Sequence, residues 1–389
     1  MGRDGRDRAP PDQPLAAGPA AIRRRELLVP DHADSPSRLI VREITLRNYR
    51  SYESLELGLS PGLILAVGEN GAGKTNLLEA LHVGTQGFSP RSRNDAQLVR
   101  FGAEAARIEL AGDRAGSRLE IEVTLRPGDA KKARLNGAAL RAAEQLRSEV
   151  ATLVFTPDRL VVVKGGPAAR RAYFDRVLGR QFPARAGLPA EYGAAVAQRN
   201  AALRRVAIGA SSRDAVSPWT ERVAELGAAL VTARAEAITA LSPPFAERAD
   251  ELGLAAAALG YDADQPTAAA LEARLDDDLE RGTTGLGPHL DDVEIRARDR
   301  DLRRFGSQGE QRLAVLSLIL AEAALLTERG PTPPLLLLDD VLSELDEGRR
   351  AALADRLAGM GQTLITATGA SALPAEPAQL VEVTPGAAR

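Results

Sequence analysis

Gly68-Glu69-Asn70-Gly71-Ala72-Gly73-Lys74-Thr75 fits the pattern G-x-x-x-x-G-K-[ST] at every position. The glycines allow backbone N–H groups to turn inward around a chain of phosphates. Lys74 adds a point charge suited to β- and γ-phosphates, and Thr75 offers a hydroxyl to Mg²⁺. The stretch before it, Leu63-Ile64-Leu65-Ala66-Val67, is a short continuous apolar run, as in a buried central strand. The stretch after it carries Leu77, Leu78 and Leu81 at helical spacing, so a helix N-terminus aims its positive end at the same anion. A glycine-rich turn with an incidental lysine is the competing reading. The strand before and the helix after favour a phosphate loop.

A second apolar run, Leu335-Leu336-Leu337-Leu338, ends in Asp339-Asp340. Such a strand delivers Asp339 to the sheet edge, where it can hold Mg²⁺ through water, and sets Asp340 to polarise an attacking water. Alone, the run would read as a buried strand followed by capping acids. Ser307-Gln308-Gly309-Glu310 opens a long helical pattern. A serine and a glycine at a helix start give a hydroxyl and free N–H groups, a second anion site, though the same residues in isolation would be an ordinary cap. Phosphate loop, S-x-G-E, then the acidic strand is an order that resembles the ABC ATPase family. There, Ser307 and Gly309 would belong to the signature, and Ser343-Glu344-Leu345-Asp346 to the D-loop. The resemblance implies ATP as ligand, with two ATPs held in a two-fold dimer, the signature of one subunit closing on the γ-phosphate held by the other.

The rest of the chain fits around these motifs. An alternating strand is expected over 39–46, with a turn over 48–52. Antiparallel strands are expected over 105–136, and further strands over 153–155, 293–296 and 364–366. From about 168 to 281, Ala, Leu, Glu and Arg recur at helical spacing, an inserted helical lobe. One of its helices starts at Ser217 with Pro218 in first position and is interrupted at Pro243-Pro244. Another runs from about Thr267 to a stop at Gly282. Residues 1–38 mix Arg, Asp, Pro and Gly without periodicity and read as a disordered extension. Met360 is the one internal methionine, so a start nearer the core would need a non-AUG codon, such as that of Val29 or Val41.

Composition narrows the classes. With no cysteine, a disulfide scaffold and Cys-ligated metal are excluded, which suits a reducing cytosol and a cytoplasmic location. No run approaches the ~18–20 apolar residues of a membrane helix, so no membrane partner is expected. The net charge of −3 gives no general attraction for nucleic acid. Any DNA contact must then come from Arg residues concentrated on one face.

Several phrases are similar to the RecF family. Leu46-Arg47-Asn48-Tyr49-Arg50-Ser51-Tyr52 matches its opening. Phe155-Thr156-Pro157-Asp158-Arg159-Leu160, Val163-Lys164-Gly165-Gly166-Pro167 and Arg170-Arg171 follow in its order. Ala197-Gln198-Arg199-Asn200 matches its arm, and Gly287-Pro288-His289-Leu290-Asp291-Asp292 is close to its G-P-H-R-D-D. The resemblance spans about 39–385. It implies an α/β fold: an ABC-type ATPase head, with a phosphate-loop mixed sheet and an antiparallel β subdomain, split over 39–167 and 286–389. A helical arm would occupy 168–285. It also implies a slow, DNA-stimulated ATPase that clamps gapped or junction DNA as an ATP-dependent homodimer. With RecR and RecO it would promote loading of RecA, in DNA replication, repair and the SOS response. The implied nucleotide set is Gly68 to Asn76 (Gly68, Glu69, Asn70, Gly71, Ala72, Gly73, Lys74, Thr75, Asn76) with Arg50, Ser307 and Gly309. Thr75 and Asp339 would hold the metal, and Asp340, Lys74 and Ser307 would serve catalysis.

The chain departs from the pattern in places. Glu310 stands where the family usually has Gln, and Leu290 where it usually has Arg. Asp340 is shorter than the Glu of transporters, in keeping with slow hydrolysis. No His follows the 364–366 strand, so Thr366 or Thr368 is expected near the γ-phosphate. His289 with Asp291 and Asp292 reads as a structural loop, an interface or a thin metal site. His82 reads as a packing residue, and Arg170-Arg171 as either a solvated helix face or a contact for DNA or a partner. An SMC protein would need a long coiled coil between the head halves, a transporter motor would need its switch histidine, and an overcoming-lysogenization nuclease would need a further acidic domain.

Overall fold

The apolar run 63–67 is the third strand of the fold and runs through its centre. The structure, a computed structural model, describes residues 40–330 and 332–389. The extension expected over 1–38 lies outside them. In chain order, β1 (Ile40–Tyr49) and β2 (Tyr52–Gly58) form a hairpin, and β3 (Leu63–Val67) leads into α1 (Lys74–Gln86). β4 (Ala106–Arg114), β5 (Ser117–Leu125), β6 (Lys132–Leu135) and β7 (Ala138–Ala139) follow, then β8 (Thr152–Phe155). The helical stretch holds α2 (Val161–Lys164), α3 (Pro167–Gln181), α4 (Leu188–Ala207) and α5 (Ser217–Glu251). After it come β9 (Ala257–Gly260), α6 (Ala268–Ala273), α7 (Leu275–Arg281), β10 (Glu294–Ala297), β11 (Arg300–Asp301) and α8 (Leu302–Phe305). The chain ends through α9 (Gln308–Arg329), β12 (Leu335–Leu338), α10 (Glu347–Ala358), β13 (Thr363–Ala367), β14 (Gln379–Thr384) and β15 (Ala387–Ala388).

Three sheets result. The central one has the order β15-β14-β3-β13-β12-β8, parallel except for β15. The second, β2-β1-β4-β5-β6-β7, is antiparallel, and β11-β10-β9 is a small third. Alternation along each central strand divides the interior in two. Leu63, Leu65, Leu336, Leu338, Ile365, Leu153 and Phe155 face a core shared with α3, α5 and α9. Ile64, Ala66, Leu335, Leu337, Leu364 and Val154 face a core shared with α1 and the antiparallel sheet. Both faces are covered, which is why these strands read as unbroken apolar runs rather than alternating ones.

Pro243 and Pro244 do not interrupt α5, contrary to the sequence expectation; the helix runs unbroken past both. Each lacks an N–H, and the carbonyls of Thr239 and Ala240 lose their helical donors. Pro243 is exposed and Pro244 half-buried, while their neighbours Leu241 and Phe245 are fully buried in the core shared with α9. Packing of that face holds the helix through the fault. The helix expected from Thr267 divides into α6 and α7 at Arg274; Thr267 caps the first through Ala270 N–H, and Gly282 ends the second at φ 65°.

Arg170 is neither a solvated residue nor a surface contact. It is buried, with Nε and Nη2 each 2.6 Å from the Asp292 carboxylate, and Arg171 donates to the Asp291 carbonyl. Arg234 forks onto Asp175 and reaches the Pro288 carbonyl. These pairs strap the loop 287–292 to α3 and α5. Both His289 nitrogens are engaged, Nδ1 with the Tyr192 hydroxyl at 2.7 Å and Nε2 with the Thr284 carbonyl at 3.0 Å. Those two bonds fix the ring within the loop, and among the described residues no group of three or more potential ligands gathers for a metal. Arg199, fully buried, pairs with the equally buried Asp278 at 2.6 Å and also meets Thr220 and Thr284. His82 is buried, its Nδ1 2.9 Å from the Phe88 carbonyl, as expected of a packing residue.

Candidate nucleotide site

The carboxyl ends of β3, β13 and β12 lie side by side, with Ala367 opposite Val67 and Leu338 opposite Ile365. Ligands of parallel sheets bind at such ends. The loop after β3 carries residues 68–73. Gly73 has φ 116°, a left-handed conformation that L side chains rarely adopt, and a Cβ there would stand 3.0 Å from the Tyr52 hydroxyl. At Gly68 a Cβ would stand 2.2 Å from the Val383 carbonyl oxygen. One glycine is required by the turn, the other by the close approach of β14.

Lys74 opens α1 with its ammonium 2.6 Å from the Gly68 carbonyl and 2.9 Å from that of Glu69. The cation is thereby held over the loop. Thr75 donates from Oγ1 to Asp339 Oδ1 at 3.0 Å, and Thr366, at the end of the strand between, donates to the same oxygen at 2.8 Å. Thr366 Oγ1 also accepts from the Asp340 backbone N–H at 2.9 Å. Phosphate loop and acidic strand are thus tied by one chain of hydrogen bonds, Thr75–Asp339–Thr366–Asp340. Burial pushes the Asp339 carboxyl above the usual carboxylate range, while the Thr366 and Thr75 hydroxyls pull it back. Asp340 is exposed and sits at φ 50°, a sparsely populated conformation that turns its side chain out just as the strand ends.

The hairpin turn between β1 and β2 buttresses the loop from the other side. Tyr52 donates to the Gly73 carbonyl at 3.1 Å, and Asn76 donates to Ser51 Oγ at 3.0 Å. Arg50, expected to bind nucleotide, gives Nε and Nη2 to the buried Glu79 of α1, both at 2.9 Å, and Nη1 to the Gln97 carbonyl. Its donors are largely spent on fixing the turn against α1. Residues 68–72, with Thr368 and with Glu382, Val383, Thr384 and Pro385 of the β14 end, line a cavity of about 550 Å³. The β14 residues were not anticipated. Val381 and Val383 alternate with exposed neighbours and were the available signal. Of the two threonines considered for the γ-phosphate, Thr366 holds the acids and Thr368 lines the cavity.

Ser307 caps α9. Its Oγ accepts from the Glu310 N–H at 3.2 Å, and Glu310 Oε2 accepts from the Ser307 N–H at 2.8 Å, a reciprocal capping box. The Ser307 N–H and the Ser307 hydroxyl, both donating to Glu310 Oε2, hold that carboxyl below its usual range. Gly309 lines a second cavity with Phe155, Arg312, Asp340 and Glu344, sharing no residue with the first. Within one chain, then, Thr75, Asp339, Thr366 and Asp340 are joined; Gly309 lines the second cavity beside Asp340, and neither Ser307 nor Gly309 lines the phosphate loop's cavity.

The family described as the RecF/RecN/SMC N terminal domain matches residues 40–386. A curated relative from Kineococcus radiotolerans, named DNA replication and repair protein RecF, is 36% identical over 386 residues, covering 90% of this chain and 98% of its own. The chain belongs to the RecF family. A solved structure of the recombination mediator protein RecF-ATP in the RecFOR pathway superposes with a TM-score of 0.82 at 27% identity, covering 92% of this chain and 99% of that one. The Smc head domain from Pyrococcus furiosus, with an extended coiled coil, has a TM-score of 0.56 at 16% identity over 90% of this chain and 95% of its own, a likeness of fold alone. The RecF fold expected from the motifs, an ABC-type ATPase head with helices inserted, is the one observed. Among the described residues no helix is long and apolar enough to cross a membrane.

Proposed function

We propose that this chain is an ATP-dependent DNA-binding protein of recombinational repair. The observation that carries the reading is the Thr75–Asp339–Thr366–Asp340 chain, which joins a phosphate loop to two acids at one sheet end. A buried carboxylate oxygen 3.0 Å from a threonine hydroxyl is a hard-oxygen donor pair of the kind Mg²⁺ takes. Thr75 and Asp339 would hold the ion, which when bound supplies neutralisation of phosphate charge. Lys74 and the N–H groups of 68–76 receive the phosphates, and Asp340, turned outward, orients and polarises the attacking water. A carboxylate as short as Asp340 favours slow hydrolysis, in which ATP acts as a timer.

Ser307 and Gly309 close on the ATP of a second subunit, making a dimer whose joined surface grips gapped or junction DNA. Neither lines the cavity of the chain's own phosphate loop, which supports action across a dimer. Head segments 39–167 and 286–389 then carry the nucleotide, and residues 168–285 form the arm. On the antiparallel sheet, Arg107, Arg126, Lys132 and Arg134 line a cavity of about 340 Å³ together with Glu122 and Asp129, where the basic groups outnumber the acidic ones although Arg107 is paired with Glu109 and Glu122. A cytoplasmic location, partnership with RecR and RecO, and promotion of RecA loading belong to the same proposal; the RecFOR pathway named for a solved RecF structure supports the partnership. Arg50 serves the nucleotide through the turn it fixes.

The test measures DNA binding and sizing with ATP, with ADP and without nucleotide, for the wild type and for Lys74→Met and Ser307→Arg. ATP-dependent binding and dimerisation, weakened by both substitutions, are expected. DNA binding indifferent to nucleotide would break the link between the two sites.

A further inference from the structure

Near β8, the edge strand of the central sheet, one carboxylate pairs with a single arginine while two more arginines in the same region have no partner among the described residues. On α3, Tyr173, Arg176 and Arg180 lie three or four residues apart on one stripe. Arg180 forks onto Glu322 of α9, Nε to Oε1 at 2.5 Å and Nη2 to Oε2 at 2.9 Å, and Glu322 is fully buried. Arg159 stands in the turn after β8, which packs on α9 as α3 does, and Arg176 lies one turn from Arg180 on α3; the charges of Arg180 and Glu322 act on both. Both are half-buried, and neither guanidinium has an ion pair or hydrogen bond among the described residues. A fourth, Arg147, lies 4.3 Å over the Phe88 ring close by. The Tyr173 hydroxyl, in a residue only 3% exposed, also lacks a partner.

Arg159, Arg176 and Arg180 against Glu322 leave two positive charges uncompensated where water is already partly excluded. Burial and its arginine neighbours push Arg159 down to about 10, and Arg176 down as well. Gathering unpaired cations in such a place costs stability, and an arriving anion offsets that cost. Planar guanidinium forks suit the tetrahedral oxygens of a phosphate. Nothing in the nucleotide site uses these residues.

We infer that Arg159 and Arg176, seated beside Arg180 and Tyr173, are a docking point for a backbone phosphate of DNA. The inference rests on the DNA-binding reading above and names residues that would carry it. It is tested on the full-length protein with ATP and a fluorescent gapped duplex, titrated at salt from about 50 to 200 mM. For Arg159→Ala/Arg176→Ala, the slope of log affinity against log salt falls by about 0.9, the loss of one phosphate contact. The conservative pair Arg159→Lys/Arg176→Lys keeps most of the slope, which a merely structural role would not predict, and ATP turnover without DNA stays at the wild-type level in both. If the alanine pair fails to fold, Arg176→Gln carries the measurement. An unchanged slope and affinity overturn the site and turn attention to an acidic protein partner. Wild-type protein that ignores DNA in ATP overturns the DNA-binding reading and this site with it.

Discussion

Replacing Thr366 by Val removes one hydroxyl from the centre of the site while keeping the shape of the side chain. Thr366 is fully buried, and its Oγ1 both donates to Asp339 at 2.8 Å and accepts from the Asp340 N–H at 2.9 Å. A hydrogen bond to a charged acceptor contributes roughly 1.5–3 kcal/mol. The Asp340 N–H lies at an exposed residue where water can replace the lost acceptor, so the total stays near about 2–3 kcal/mol. Unfolding entropy of ~2.1 cal/mol/K per residue over the roughly 350 described residues converts this to a fall in Tm of about 3–4 K. The Asp339 carboxyl, already raised by burial, loses one of the two hydroxyls that lower it and rises further. ATP turnover falls on the order of tenfold, corresponding to about 1.4 kcal/mol in the barrier. Thermal unfolding and steady-state phosphate release measure the two effects, with Thr366→Ser as the control that restores both. A valine variant that melts and turns over like the wild type would refute the idea that Thr366 couples the two acids.

Asp339→Asn tests the burial of that carboxylate. Its folded pKa lies above the unfolded value, so ionisation costs nothing at low pH and the cost sets in as pH rises through the folded pKa. The Asn variant therefore melts above the wild type near neutrality while losing ATP turnover, and the difference closes in acid; the same melting curve at all pH would contradict it. Gly68→Ala places a Cβ 2.2 Å from the Val383 oxygen and forces β14 to move, costing about 1–3 kcal/mol in urea unfolding together with ATP affinity. Arg199→Leu strands the buried Asp278 carboxylate and costs about 3–5 kcal/mol, whereas the double change Arg199→Leu/Asp278→Leu recovers most of it.

What could be read from the sequence was local. The phosphate loop, the acidic strand and the Ser307 cap each announce themselves within eight residues, because each is a backbone conformation or a strand end that demands particular residue types. The antiparallel strands over 105–136 were legible from alternation for the same reason. What eluded reading depends on partners far along the chain. Arg50 meets Glu79 and Arg170 meets Asp292, 29 and 122 residues away, and no spacing rule couples such positions. Pro243-Pro244 was misread because a proline pair marks a break only when no packed face carries the helix across it, and burial of Leu241 and Phe245 is a tertiary fact.

The capping box at Ser307 also decides how the start of α9 meets an anion. Glu310 keeps its carboxylate against the Ser307 N–H and hydroxyl, at the helix start where an anion is most welcome. It is a tethered stand-in for an anion, carried by the protein at high effective concentration. An outside anion must evict a negative charge that never diffuses away, so it has to arrive well placed before the cap yields. The side chain that steadies the helix is also the threshold for any anion at its start.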